Sequence, residues 1–313
     1  MKVLAESDNS NLLRAYINPN NEYYTRIEDI EKELSLHKNN FKNKIIYCNC
    51  DDVYKSEFIW YFIKNFNEFK LKKLIATGLS GYKLEINKVT DKEIELYRKR
   101  KLTKYIAKIE DGDYSSTECL ELLKECDIVI TNPPFSLFRD YIDTLFKYNK
   151  DFIVIGHAGA SSYLNIFSYI YQGRLNIGYT EASHFRGKTS KSKSVIRTFW
   201  YTTFNVNKPQ IELTKEYDSK EYPKYDNIEA IDVSRYKNIP RDYYGVMGVP
   251  VTFLKYYTPT QFKLLGLAGR GKEGERYRTK VYKRNDFNQS PILKIGNKYK
   301  ILYVRVLIKQ RKT

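Results

Sequence analysis

The sequence has few of the residues that form metal sites and hydrolytic triads. Its 313 residues include only four cysteines and three histidines. Cys48 and Cys50 form a Cys-x-Cys pair and Cys119 and Cys126 a wider pair, and neither spacing is that of a common zinc site. The histidines belong to no local nucleophile or metal signature. We therefore expect free thiols and no metal, which disfavours zinc enzymes and triad hydrolases.

Long hydrophobic runs are also missing. A membrane-spanning helix needs roughly 18 or more consecutive apolar residues, and no segment of the sequence approaches that length. Residues 1–8 contain no apolar segment of signal-peptide type. These two absences predict a soluble, cytoplasmic protein.

Acidic residues are scarce in one part of the chain only. Lys and Arg number 54 against 37 Asp and Glu, a net charge of +17. Residues 181–313 hold 28 basic and 12 acidic side chains and carry +16 of this excess, whereas residues 1–180 carry +1. Such an excess favours a polyanionic partner.

The order of apolar segments predicts an α/β fold. Short apolar runs typical of buried strands alternate with amphipathic helical patterns. The predicted strands are 44–48, 74–77, 105–109, 127–131, 152–156, 175–179 and 195–203, and the predicted helices are 56–69, 117–125, 137–148 and 163–171. This alternation is typical of a doubly wound, Rossmann-like sheet, here of seven strands.

Two further segments complete the predicted architecture. Apolar and polar residues alternate through 82–98 around a polar turn, which predicts a β-hairpin inserted between the second and third strands. Beyond residue 205, short pieces rich in proline and tyrosine end in a predicted edge strand, 300–308. We therefore expect two domains, residues 1–205 and a basic domain of residues 206–313.

The segment after the fourth predicted strand carries the candidate chemistry. Asn132, Pro133, Pro134 and Phe135 follow this strand directly. Proline cannot continue a strand ladder and holds the residue before it extended. The result is a rigid corner at the carboxyl end of a parallel strand, where α/β sheets bind ligands.

This corner suits methyl transfer to an amine that is conjugated with an aromatic ring. The side-chain oxygen of Asn132 and the carbonyl of Pro133 can each accept a hydrogen bond from one N–H group of the amine, which frees its lone pair from the ring. Phe135 can stack on the base. The alternative is that the tetrapeptide forms only a turn. Its place after a buried strand and before an amphipathic helix favours the functional interpretation.

The sequence resembles the EcoRI-type adenine-specific DNA methyltransferases, a family of modification methylases. The corner and several other strings carry the resemblance, namely residues 21–25, 46–52, 72–76, 111–114, 127–138, 222–227 and 244–250. The resemblance implies an S-adenosylmethionine-dependent methyltransferase sheet in residues 1–205 and a target-recognition domain in residues 206–313. It also implies S-adenosylmethionine as methyl donor, a flipped adenine of double-stranded DNA as acceptor, and no metal.

The resemblance also assigns residues to the methyl donor: Tyr24, Thr25, Asn49, Asp51, Asp52 and Asp113. Tyr24 and Thr25 would contact its amino-acid part, and Asp113 would accept from its adenine amine. The sequence departs from the general pattern at two places, because the first turn lacks Gly-x-Gly and the second strand ends without an acid for the ribose. Asp51 and Asp52 remain alternatives for that role, and either could equally be a helix cap or loop residue.

Two groups of basic residues are candidates for phosphate contacts. They are Arg186, Lys188, Lys191, Lys193 and Arg197 in a loop rich in serine and lysine, and Arg270, Lys272, Arg276 and Arg278 among glycines and tyrosines. The alternative is an ordinary solvated surface. The implied setting is restriction and modification in a bacterium or phage, with any cognate endonuclease encoded nearby and not physically bound.

Two other functions remain open from the sequence. The same corner could serve a methyltransferase that acts on RNA adenine or on a protein glutamine. A non-catalytic DNA-binding relative is the second alternative, and the intact corner argues against it.

Overall fold

The chain divides into two compact units. The computed structural model describes residues 23–182, 185–187, 197–283 and 288–312. The first unit comprises Met1–His157 and Gly178–Phe204, and the second comprises Ala158–Ile177 and Asn205–Thr313. The segment Ala158–Ile177 therefore groups with the second unit, which a single boundary near residue 206 does not anticipate.

The elements follow one another in a mixed α/β order. The strands are β1 (Tyr23–Thr25), β2 (Ile45–Cys48), β3 (Lys73–Gly78), β4 (Tyr82–Ile86), β5 (Ile106–Lys108), β6 (Ile128–Thr131), β7 (Asp151–His157), β8 (Asn176–Ile177), β9 (Phe185–Gly187), β10 (Thr198–Thr202), β11 (Ile231–Asp232), β12 (Met247–Pro250), β13 (Phe262–Leu267), β14 (Ile292–Ile295), β15 (Lys298–Ile301) and β16 (Arg305–Gln310). The helices are α1 (Ile27–Leu34), α2 (Glu57–Lys64), α3 (Asp91–Arg98), α4 (Thr117–Glu125), α5 (Phe138–Lys147), α6 (Leu164–Tyr171) and α7 (Gly271–Glu275).

The main sheet of the first unit has a parallel centre. Its strands within this unit lie in the order β5-β4-β3-β2-β6-β7-β10. The central strands β3, β2, β6 and β7 are parallel, whereas β4 and β10 run antiparallel to their neighbours β3 and β7. Strands β2 and β6 are buried along their whole length, which explains their uninterrupted apolar sequences. The predicted α/β class is confirmed.

Most of the predicted helices of this unit are present. Helix α2 begins after Ser56, whose hydroxyl accepts from the backbone N–H groups of Phe58 and Ile59, as expected for an N-cap. Helices α4 and α5 lie where the leucine and aromatic patterns predict them. In the described part of the chain no helix is both long and apolar enough to cross a membrane.

The predicted hairpin at 82–98 is wrong. Its first half is β4, which lies within the main sheet between β3 and β5. Its second half is helix α3, which a capping box starts: Thr90 accepts from the backbone of Glu93, and the Glu93 carboxylate accepts from the backbone of Thr90. Reciprocal capping satisfies two backbone donors, and this local preference prevails over the short alternating pattern.

The predicted edge strand at 300–308 is also wrong. The segment is divided between β15 and β16, and β16 lies inside a four-stranded sheet ordered β11-β12-β16-β13. Val306, Leu307 and Ile308 are fully buried there. An interior position explains this apolar run better than an edge.

Candidate active site

The corner after β6 leads from the end of the strand into a helix through one short turn. Strand β6 ends at Thr131, and a single 3-10 turn, Phe135–Leu137, leads into α5. The N–H of Leu137 donates to the carbonyl of Pro134 at 3.0 Å and closes this turn. Asn132 and Phe135 are half-buried and Pro133 is buried, so the corner can present polar atoms without being fully solvated.

A cavity of about 390 Å³ opens in front of this corner. It is lined by nine of the ten residues to which the sequence assigns catalysis or donor binding: Thr25, Asn49, Asp51, Asp52, Asp113, Asn132, Pro133, Pro134 and Phe135. The side chain of the tenth, Tyr24, lies outside the described residues. These residues come from segments far apart in sequence, and the carboxyl ends of β2 and β6 bring many of them together.

Asp51 ties several of these elements to one another. Its carboxylate accepts one hydrogen bond from the hydroxyl of Ser56 and another from that of Thr131, each at 2.5 Å. Its backbone N–H donates to the carbonyl of Thr77 at 3.0 Å. Burial raises the pKa of this carboxyl to about 6, although the two hydroxyl donors oppose the shift. Both carboxylate oxygens are therefore engaged within the protein.

The neighbours of Asp51 are held in different ways. The side-chain oxygen of Asn49 accepts from the hydroxyl of Tyr141 at 2.5 Å, which connects the turn after β2 to α5. The Asp52 carboxylate accepts from the backbone of Tyr54 and lies 3.9 Å from the ammonium of Lys55. Asp52 keeps part of its surface exposed at the cavity, unlike Asp51.

Asp113 and Thr25 both line the cavity, but only Asp113 already has hydrogen-bond partners within the protein. One oxygen of Asp113 accepts from the backbone and the hydroxyl of Ser115, which fixes the carboxylate. The Thr25 hydroxyl is buried and has no hydrogen-bond partner among the residues described. A buried hydroxyl without a partner is costly, and a polar group bound in the cavity would satisfy it.

Two glycines allow the strand ends around the cavity to approach each other. A Cβ on Gly78 would lie 2.5 Å from the carbonyl oxygen of Asp51, and a Cβ on Gly112 would lie 1.9 Å from the carbonyl oxygen of Gly78. Neither position can accept a side chain without backbone movement. The close packing that Gly-x-Gly supplies in other nucleotide sites is thus provided here by the glycine that ends β3 and by one in the loop after β5.

The sequence analysis did not identify several lining residues. They are Cys50, Lys55, Ser56, Glu57, Phe58, Gly78, Leu79, Ser80, Gly112 and Tyr114. Gly78 stands directly after predicted strand 74–77 and Gly112 three residues after predicted strand 105–109, positions that could have marked them. Cys50 is a free thiol whose pKa burial raises well above its usual value, so that it remains neutral near pH 7.

The basic residues predicted to contact phosphates differ in their exposure and in their hydrogen bonds. The side chains of Arg186, Lys188, Lys191 and Lys193 lie outside the described residues, and Arg197 is exposed 3.9 Å from Glu181. In the second unit, Arg270 donates to the carbonyl of Gln289, and Arg278 donates to those of Gly269 and Asn288. Lys272 and Arg276 are exposed and make no ion pair in the part of the chain that the structure describes.

Comparison with known proteins gives one consistent result. The family model for the adenine-specific methyltransferase EcoRI matches residues 11–311. The chain is 36% identical to the Type II methyltransferase M.MgeORF184P of Mycoplasma genitalium, over 93% of this chain and 96% of that protein. It is 36% identical to M.EcoRI of Escherichia coli over 82% and 89% of the two chains, and 35% identical to M.MpnI of Mycoplasma pneumoniae over 93% and 95%.

Proposed function

The chain belongs to the EcoRI family of adenine-specific methyltransferases, and we propose that the corner Asn132–Phe135 transfers a methyl group to the amino nitrogen of adenine. The enzyme is a site-specific DNA adenine methyltransferase of a restriction-modification setting. The observation that supports these residue roles is the cavity, which is lined by the corner and by the predicted donor-binding residues together. We propose the bacterial or phage-infected cytoplasm as its place of action.

Asn132 and Pro133 act on the acceptor amine. The lone pair of the adenine amino group is delocalised into the ring, which makes this nitrogen a weak nucleophile. Two acceptors fixed beside it favour the pyramidal nitrogen that forms as methyl transfer begins, so the attack itself needs no general base. The methylated nitrogen, which is then cationic, loses one proton to water. Pro134 keeps the corner rigid, because its ring fixes the backbone that leads into the 3-10 turn.

Phe135 holds the base. In a DNA duplex the amino group of adenine is stacked and paired, so the residues of the cavity cannot reach it. We therefore propose that the nucleotide is rotated out of the duplex into the cavity. The half-buried ring of Phe135 lines this cavity and offers a face on which the base can stack. A stack of this kind contributes roughly 1–3 kcal/mol per base.

The remaining lining residues suit S-adenosylmethionine, which supplies an electrophilic methyl group. The buried Thr25 hydroxyl is available to the amino-acid part of the donor, and Asp113 is a fixed acceptor for its adenine amine. For the ribose hydroxyls we favour Asp52 over Asp51, because both oxygens of Asp51 already accept from Ser56 and Thr131. Gly78 and Gly112 line this part of the cavity and let the backbones around it pack closely.

Double-stranded DNA is the proposed binding partner of the basic residues. Lys272 and Arg276 are exposed and suit phosphate contacts, as do the loop lysines by their sequence. Arg270 and Arg278 also stay candidates for phosphate contacts, and their guanidinium groups in addition donate to backbone carbonyls of the 288–289 segment. The alternative methyl acceptors are an RNA adenine and a protein glutamine, and an experiment must distinguish them from DNA adenine.

The test compares Asn132→Ala with the wild-type enzyme in a host that lacks adenine methylation. Sequencing that detects N6-methyladenine should find it at one short site in DNA from wild-type cells. Asn132→Ala should lower the methyl-transfer rate on the order of 10²–10³-fold, because it removes one preorganised acceptor, and donor binding by calorimetry should be retained. Asn39→Ala is the control, because Asn39 is exposed and does not line the cavity.

Two results would contradict the proposal. Near-normal turnover of Asn132→Ala would exclude the acceptor role of this residue. Methylated RNA or protein with unmethylated DNA in wild-type cells would exclude DNA as the substrate.

A further inference from the structure

Strands β14 and β15 form a two-stranded ribbon in the second unit that is exposed over most of its length. Ile292 and Leu293, at its base, are buried. From Lys294 through the turn to Ile301 every residue is exposed. Since successive side chains point to opposite faces of a strand, exposure of all of them means that both faces of the outer part reach the surface of this unit. The ring of Tyr299 also contacts that of Tyr282, with centroids 5.9 Å apart.

The base of the ribbon is held firmly by the second unit. Asn227 is fully buried; its amide donates to the carbonyl of Ser290 at 2.9 Å, and its side-chain oxygen accepts from the N–H of Ile292 at 3.0 Å. The backbone N–H of Asp226 donates to the carbonyl of Ile292 at 2.8 Å. The string 222–227 that carries part of the family resemblance thus fixes the root of this element.

The ribbon is positively charged and has no nearby acid in sequence. Residues 288–312 contain seven basic and no acidic residues. Lys294, Lys298 and Lys300 are exposed and form no ion pair within 4 Å among the described residues. Lys294 lies near enough to Asp226 to help Lys280 and Tyr282 lower the pKa of that carboxyl. By contrast Lys280, which precedes the ribbon, is neutralised by Asp226 at 2.7 Å. The free charge therefore lies on the outer part of the ribbon.

Apolar and aromatic side chains accompany these lysines. Ile295 is 62% exposed, Tyr299 45% and Ile301 42%, and Tyr303, just beyond β15, is 92% exposed. Large apolar residues clustered at the surface usually mark an interaction site. Lysines interleaved with tyrosines, with no acids between them, are complementary to a polyanion that offers flat bases and sugars.

We propose that the β14–β15 ribbon is a DNA-contacting element that enters the major groove. This inference rests on the proposed function, which supplies DNA as the partner. The major groove is about 12 Å wide and admits a two-stranded β-ribbon. The four-residue strands of the ribbon are about 13 Å long, which exceeds the depth of the major groove of about 8.5 Å. Lys294, Lys298 and Lys300 contact phosphates, and Tyr299 and Tyr303 pack against the sugar and base edges.

The experiment uses the full chain with Lys294→Gln, Lys298→Gln and Lys300→Gln combined. The matched control combines Lys64→Gln, Lys99→Gln and Lys124→Gln, three exposed lysines that are each paired with a glutamate in the first unit. Fluorescence anisotropy measures binding to a labelled duplex of mixed sequence at salt concentrations from about 50 to about 200 mM. Thermal unfolding checks that both variants remain folded.

We expect the ribbon variant to bind more weakly and its salt dependence to be shallower. Each lost phosphate contact flattens the slope of log affinity against log salt by about 0.9, so three contacts change it by about 2.7, whereas the control should keep the wild-type slope. Tyr303→Ala, which retains the charge, should weaken binding without changing the slope.

Unchanged affinity and slope in the ribbon variant would overturn the inference. So would a dimer in sedimentation experiments that Ile295→Lys dissociates, because the ribbon would then pair with a second copy of the chain. If the wild-type protein methylates plasmid DNA while the ribbon variant matches it in every measurement, only the ribbon inference fails. If the wild-type protein neither binds nor methylates DNA, the proposed function itself fails.

Discussion

At the scale of single residues, Phe135 separates base capture from chemistry. Phe135→Ala should weaken the capture of the extruded base, and its defect should shrink when the target adenine is mispaired and easier to flip. With 2-aminopurine at the target position, the wild-type enzyme should raise the fluorescence on binding, and the variant should raise it less. Phe135→Tyr, which keeps the ring, is the control. Equal signals for wild type and Phe135→Ala would argue against stacking.

Because Phe135 also packs against the core of the first unit, its variants need a stability check. Thermal unfolding should show a modest decrease in the unfolding temperature of Phe135→Ala, since the ring is only half-buried. A collapse of the fold would make the fluorescence result irrelevant to stacking, and Phe135→Leu then keeps the packing volume and removes only the aromatic face.

Asp51 is expected to make stability depend on pH. Its pKa is about 6 in the folded protein against 3.8 as the usual value, so the folded state holds this proton more tightly than the unfolded state. The stabilisation is fully present below about pH 4 and is lost as the pH rises through about 6, by roughly 3 kcal/mol. Asp51→Asn, measured by urea unfolding across this range, should remove that part of the pH dependence.

The control for this measurement is Asp52→Asn, which leaves the hydrogen bonds of Asp51 with Ser56 and Thr131 in place. It should keep most of the wild-type decrease in the free energy of unfolding between about pH 4 and 7, because burial is the main cause of the raised Asp51 pKa and the charge of Asp52 the smallest one. If Asp51→Asn shows the same decrease as the wild type, the buried carboxyl is not the group that titrates.

At the scale of elements, the contact between the loop after β5 and the end of β3 shapes the cavity. Gly112→Ala would place its Cβ 1.9 Å from the carbonyl oxygen of Gly78. The two backbones must then separate, so we expect loss of S-adenosylmethionine binding in calorimetry together with a lower unfolding temperature.

Gly173→Ala is the matched control for backbone strain. This glycine has φ +71 and open space around its Cβ position, so the variant should lose only about 1–2 kcal/mol of stability and leave donor binding unchanged. Donor binding by Gly112→Ala at the wild-type affinity would mean that this loop moves away without cost to the site.

The strands around the cavity can be predicted from the sequence, whereas the contact between its two glycines cannot. The strands that end at Cys48 and Thr131 are recognisable because both are fully buried and uninterrupted. The partner of Gly112 is not recognisable, since Gly78 is distant in sequence and meets it only through the order of strands β5, β4 and β3. Helix α3 is not predicted from the sequence, because the alternation of apolar and polar residues through 82–98 suggests strands. In the structure the capping box of Thr90 and Glu93 starts a helix there instead.

Many residues that line the cavity could be named from the sequence, whereas the hydrogen bonds that hold them could not. The corner 132–135 follows from proline chemistry and its place after a strand. That Asp51 would accept from Thr131 depends on the adjacency of β2 and β6 in the sheet. Periodicity within either strand contains no information on that neighbour.

At the scale of the whole molecule, the uneven charge predicts that the two substrates respond differently to salt. Residues 181–313 carry +16 and residues 1–180 only +1, and the donor cavity is lined entirely by residues numbered 25 to 135. Raising the salt concentration from about 50 to about 200 mM should therefore reduce DNA affinity by orders of magnitude. Affinity for S-adenosylmethionine, which carries little net charge, should change less than about twofold.

The loop lysines give this prediction a sharper form. Combining Lys188→Gln, Lys191→Gln and Lys193→Gln should flatten the salt slope of DNA binding by about 0.9 per lost contact. It should also weaken binding to all sequences alike and leave the methylated site unchanged, because phosphate contacts position a protein while base contacts specify the sequence. The Lys64, Lys99 and Lys124 control removes the same charge from ion pairs in the first unit. If both triple variants flatten the slope equally, net charge alone governs binding, and the loop makes no specific contact with the duplex.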